Sequence, residues 1–210
     1  PPPAPPSVEW DESIGLCGSP SIECLRAGVA FAPNLTLATV GHSNLGGLGP
    51  DLTAPATLLY RSVGLSPAGR SIDLSISTLS TYTPRSTSSN GLSGRFGVIN
   101  MEPGSSVTLQ FAFVDSEYGE PVVLNEAFLS IFDINQGPRG TGRETVWASG
   151  FSSYVRANDT ELDIAYAGGA EVQFAATTQG GAGPVDPTQL SDLQHRRAVM
   201  LTFRETWQMQ

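Results

Sequence analysis

The chain has 210 residues, 40% of them hydrophobic, enough to bury a substantial core, and a formal charge of −9 in which all 11 basic side chains are arginine. The absence of lysine excludes a phosphate loop of the GxxxxGK type and any Schiff-base enzyme. Outside the adjacent Arg196 and Arg197 there is no basic stripe for nucleic acid, and no apolar run approaches the roughly 20 residues of a membrane-spanning helix.

The chain opens on Pro1, Pro2, Pro3, Pro5 and Pro6, a composition that favours an extended backbone. This tail is expected to engage other protein subunits. The numbering starts at a proline, as expected of a processed chain or a fragment whose signal segment has gone. Residues 1–28 read as the tail plus an irregular segment, and residues 29–210 as one β-sandwich domain. Cys17 and Cys24, the 2 cysteines, flank Gly18, Ser19 and Pro20. They fit a small disulfide loop of an oxidising compartment, against the alternative of two free thiols, and cannot by themselves complete a four-ligand zinc site.

Strands are then predicted at 29–40, 57–63, 71–79, 96–101, 107–115, 122–133, 144–148, 162–166, 171–177 and 198–206. In the run 107–115, Val107, Leu109, Phe111 and Phe113 alternate with Thr108, Gln110 and Ala112, the period of two of a half-buried strand. Turn chemistry separates the runs at Gly46 and Gly47, Asn90 and Gly91, Pro103 and Gly104, and Gly180 and Gly181. One helix is expected at 186–194, with Asp186 as cap and Pro187 at its first position. About ten short strands with one helix near the C-terminus define an all-β protein, a two-sheet antiparallel sandwich of jelly-roll type.

Candidate chemistry gathers at the end of the 122–133 run. Asp133 and Asn135 would continue the face of Leu129 and Ile131, so two side-chain oxygens would project together, with Glu144 across a glycine-rich loop. Asp133, Asn135 and Glu144 are therefore a candidate Ca2+ site, to which carbonyls of 137–142 or the side chains of Asp115 and Asn90 could add. The structural alternative has Asp133 capping the loop and Glu144 pairing with Arg139 or Arg143. Glycoside hydrolysis would draw its paired carboxylates from Asp73, Asp133, Glu144, Asp163 and Glu171, but few aromatic side chains stand near them to stack on sugar. No GxSxG elbow accompanies His42, and His195 beside Arg196 suits a helix C-terminus. Asn34 and Asn158 both head an Asn-x-Thr acceptor pattern; Asn158, in a polar turn, is the glycosylation candidate, whereas Asn34 falls inside a predicted strand.

The segments Asn90 to Gly97, Phe111 to Asp115, and Phe132 to Asn135 with Glu144 to Val146, together with Leu190, Gln194, Arg197 and Val199, resemble a β-sandwich domain of algal and some bacterial surface and secreted proteins. The family pattern often has Asp where Asn135 stands. The resemblance implies a non-catalytic, extracytosolic module. The leading expectation is thus a structural or interaction subunit, not an enzyme, docked in a larger assembly at a cell surface or, in an alga, in the thylakoid lumen. A calcium-dependent carbohydrate-binding or adhesion module is the second expectation, favoured by a groove lined by Trp147, Tyr118 or Tyr154 beside the Asp133 corner. A glycoside-type hydrolase is the third.

Overall fold

The structure, a computed structural model, describes residues 7–9, 34–66, 68–168, 170–181 and 183–210. The strands are β1 (Ser7–Glu9), β2 (Thr39–Ser43), β3 (Leu58–Leu65), β4 (Ser71–Thr78), β5 (Gly91–Ser93), β6 (Phe96–Val98) and β7 (Leu109–Asp115). They continue as β8 (Leu124–Ile131), β9 (Thr145–Ala148), β10 (Ser153–Arg156), β11 (Leu162–Gly168), β12 (Glu171–Ala176), β13 (Val199–Thr206) and β14 (Gln208–Met209), with a single α-helix, α1 (Asp192–Arg196), before β13 among the described residues. The protein is all-β, built from antiparallel sheets, with its helix near the C-terminus as the composition and spacing predict. The strand pair that departs from this is β1 with β10, which is parallel.

The chain forms two compact units. The first contains the described residues of Leu16–Ala127 with Glu205–Gln210, and the second the described residues of Pro1–Gly15 with Phe128–Arg204. The change from one to the other falls within β8 and again within β13.

The first unit is organised by a five-stranded sheet in the order β14-β7-β4-β3-β2. Registers align Leu58 with Ile76 and Phe111, and Tyr60 with Leu74 and Phe113, so the alternating apolar residues meet on one face. Leu58, Tyr60, Ile76 and Phe113 are buried there. An irregularity in β3 puts Ser62 at φ 58° and takes its N–H out of the ladder. The Asp73 carboxylate accepts that N–H at 2.9 Å, which satisfies the bulge.

The second unit holds two sheets, β1-β10-β13-β8 and β11-β12-β9. Tyr154 of β10 meets Phe174 of β12 edge to face at 5.2 Å, so the two sheets pack as a sandwich around an aromatic centre. Phe151 adds edge contacts to Tyr154 and Phe203 at 6.1 and 6.3 Å. Arg197 lies under this unit's loops, only 9% exposed, and its guanidinium donates to Glu161 at 2.9 Å.

Several boundaries differ from the predicted ones. The strand expected at 29–40 begins only at Thr39: Asn34 Oδ1 accepts the N–H of Thr36 at 3.0 Å and bends the backbone, while 29–33 lie outside the described residues. The expected 96–101 strand shortens to β6, paired with β5 through a turn at Gly94, φ 59°. The expected helix at 186–194 is displaced. Asp186 Oδ1 instead accepts from the N–H and hydroxyl of Thr188, an Asx turn, and α1 starts after Ser191, whose hydroxyl and the Gln194 side chain form a capping box. Cys17, Cys24 and the five tail prolines lie outside the described residues. No helix among the described residues is long and apolar enough to cross a membrane.

Candidate functional site

The end of β8 does not run on as a strand. It stops at Ile131, and Asp133 turns into the left-handed region at φ 61°, so Asp133 and Asn135 do not project side by side from one strand face as the alternation predicts. Ile134 between them is buried and donates its N–H to the Arg197 carbonyl at 3.0 Å, fixing the turn. Asn135 then folds back: its Nδ2 donates to the Asp133 carbonyl at 3.0 Å and to Asp133 Oδ1 at 2.9 Å.

Glu144 arrives from the far side of the loop and pairs with the Asn135 backbone in both directions. The Asn135 N–H donates to Glu144 Oε2 at 2.9 Å, and the Glu144 N–H donates to the Asn135 carbonyl at 3.0 Å. The three residues thus do come together. The residue Glu144 is exposed as a whole, but its carboxylate is drawn in against the loop, and that loss of water together with the Asp133 charge raises its pKa against the lowering effect of the Asn135 N–H. The Asn135 amide presents its nitrogen, not its oxygen, to Asp133. Its oxygen faces Gly180, where a Cβ would collide with the Asn135 amide, so a side chain at 180 would displace the fold-back. Among the described residues no three His, Cys, Asp or Glu side chains gather in a metal-holding group.

Beside this corner stands the outer face of the three-stranded sheet. Trp147 of β9 aligns with Gln173 of β12, and Gln173 with Ala165 of β11; one step along, Thr145 aligns with Ala175 and Ala175 with Asp163. The intervening residues Val172, Phe174 and Leu162 are buried on the other side, so these two rows belong to the outer face, where Ala175, at the centre of the second row, is itself covered. Trp147 is 51% exposed. Arg143 spans the Ala175 position, with its Nε donating to the Ala176 carbonyl at 2.7 Å and its Nη2 to Asp163 at 3.3 Å. Arg143 therefore pairs with Asp163, and Glu144 with the loop backbone.

The other sequence candidates fall into structural roles. In the first unit, Asp73 takes the Ser62 N–H, the Ser116 hydroxyl at 2.6 Å and the Arg61 guanidinium at 3.7 Å. Asp115 accepts the Tyr118 and Glu117 N–H groups at 3.0 Å with Arg70 at 3.1 Å, and these donors hold its carboxyl below its ordinary pKa despite burial. Tyr118 carries the Arg70 guanidinium over its ring at 5.7 Å. His42 Nε2 meets the Thr57 hydroxyl at 2.8 Å, and burial lowers its pKa. In the second unit, Tyr154 is a core residue and not a groove lining, His195 lies in the last turn of α1, and Asn158 is exposed in a turn. Asn34 lies just before the bend at 35–37 and not in a strand. Sequence reading singled out Trp147 but not Gln173, Ala165 or Arg143 with Asp163, because their alignment depends on cross-strand register.

No family model and no curated protein matches the chain. Among solved structures it is similar to the N-terminal domain of the Streptococcus gordonii adhesin Sgo0707, at 10% identity and a TM-score of 0.44 over 73% of this chain and 41% of that one. This chain spans well under half of that structure, and at such identity and score no function is carried across. The resemblance to algal and bacterial surface domains stands on its motifs alone.

Proposed function

We propose that the chain is a non-catalytic interaction module of an extracytosolic protein, a β scaffold that presents the outer face of β9, β12 and β11 to a partner. The observation that carries this reading is Trp147, a large aromatic half exposed on a sheet face that is otherwise small and polar. Four of the five carboxylates offered for glycoside hydrolysis support it as well: Asp73, Asp133, Glu144 and Asp163 are each spent on a bulge, a turn, a loop or an arginine, while Glu171 is exposed at the start of β12. A docked subunit of a surface or lumenal assembly is the finer form of the same reading. Native purification followed by identification of what accompanies the protein tests it. Recovery with a partner, protein or glycan, lost in Trp147→Ala, is the expected result; a lone monomer that also binds no glycan overturns it.

Calcium dependence is a second reading, supported by the approach of the Asp133 and Glu144 charges and opposed by the Asn135 amide, which turns its nitrogen rather than its oxygen to Asp133. A melting temperature raised by Ca2+, returned by chelator and insensitive to both in Asp133→Ala would support it. A melting temperature that ignores Ca2+ removes it.

A further inference from the structure

We infer that the Trp147 face is a binding site for a neutral oligosaccharide, an inference that rests on the interaction reading above and names its ligand. The platform is made by backbone register. Trp147, Gln173 and Ala165 stand in one cross-strand row, with Thr145 and Asp163 in the next. With strands about 4.8 Å apart and alternate residues about 6.8 Å apart, the surface measures roughly 10 by 7 Å, a footprint that suits two linked pyranose rings.

Its chemistry is that of a sugar and not of a protein hot spot. A protein anchor sits in an apolar, desolvated pocket ringed by further side chains. Here the half-exposed indole has Gln173 beside it and the small Ala165 at the far end of its row, with polar groups elsewhere. The C–H face of a pyranose covers the indole, while the Gln173 amide offers both a donor and an acceptor to neighbouring hydroxyls. Arg143 and Asp163 add a second planar pair, held at 3.3 Å and both partly exposed, able to bond vicinal hydroxyls from fixed positions.

Charge selects among sugars. Arg143 and Asp163 cancel one another, and the chain carries −9 overall, so uronic or sulfated polymers are repelled while neutral ones are not. The contact area is small and one-sided, so binding is weak for a single site and gains strength only in arrays.

Affinity electrophoresis of the whole chain through gels containing neutral β-linked glucans, xylans or mannans, with polygalacturonate as the anionic control, tests the inference. The expected result is retardation by at least one neutral polymer and none by polygalacturonate. Retardation falls at least about tenfold in Trp147→Ala and by less in Gln173→Ala, with both variants keeping the wild-type circular dichroism spectrum. Trp207→Phe migrates as the wild type does. Absence of retardation in every neutral gel, or equal retardation of wild type and Trp147→Ala, overturns the inference. A protein partner lost in Trp147→Ala without any sugar binding overturns it too, yet leaves the interaction reading standing. Hydrolysis of the retarding glucan overturns the interaction reading itself.

Discussion

Replacing Glu161 by alanine breaks a largely buried ion pair. Arg197 and Glu161 are 9% and 20% exposed and meet at 2.9 Å, and Glu161 also accepts the Thr178 hydroxyl. Removing the carboxylate leaves a guanidinium with little access to water. Breaking a fully buried pair costs about 3–5 kcal/mol, and the residual exposure of Glu161 places this loss nearer 2–3 kcal/mol, or about 4–12 °C in melting temperature for a chain of this size. The control is the pair Arg197→Met with Glu161→Leu, which removes both charges and is expected to lie within about 1 kcal/mol of wild type. Differential scanning calorimetry reads both. The pH profile adds a sign. The Thr178 hydroxyl first, then Arg197, hold the Glu161 carboxyl below its ordinary pKa of 4.5, so its stabilisation is fully present above that value and is lost as pH falls through the lower folded value. The gap between wild type and Glu161→Ala should therefore narrow only on the acid side. A single-mutant loss under about 2 °C, or a double variant as unstable as the single one, would refute the argument.

Glu144→Gln should act in the opposite sense. The Glu144 pKa is raised in the fold, so its charged form carries a cost above the folded pKa that disappears as the group protonates; glutamine should match or exceed wild type at pH 7 by about 0.5 kcal/mol or less and converge with it in acid, read by melting temperature across pH. A clear destabilisation at pH 7 would show that the carboxylate charge is required there, as a bound cation would demand. Tyr60→Phe removes the hydroxyl that donates to the buried Gly91 carbonyl at 2.7 Å and should cost about 1–2 kcal/mol in urea unfolding; an unchanged midpoint would mean that the carbonyl finds another donor.

The core face of the five-stranded sheet is legible in the chain because period-two alternation survives without context: Phe111 and Phe113 predict the face they share with Leu58, Tyr60, Leu74 and Ile76. The helix is a case where a local rule was answered locally in another way. Asp186 with Pro187 meets the requirements of a helix start, but Asp186 Oδ1 takes the Thr188 N–H and hydroxyl in a turn, and the helix begins only after Ser191. β10 and β14, four and two residues long, exist by pairing with distant strands and have no pattern of their own. At the corner, the meeting of Asp133, Asn135 and Glu144 follows from their spacing across a glycine loop. The orientation of the Asn135 amide does not, since it depends on the left-handed Asp133 backbone and on Gly180, forty-five positions later.

The change between the two compact units inside β8 and β13 bears on how the protein can be divided. A boundary in a linker allows one cut and two expressible pieces. Here a cut at either place severs a strand, and Glu205–Gln210 would have to be supplied to the first unit as a separate peptide or fused by circular permutation. Fragment complementation is accordingly the suitable way to dissect it, and a truncation ending near residue 127 would lack β14, the edge of the first unit's own sheet.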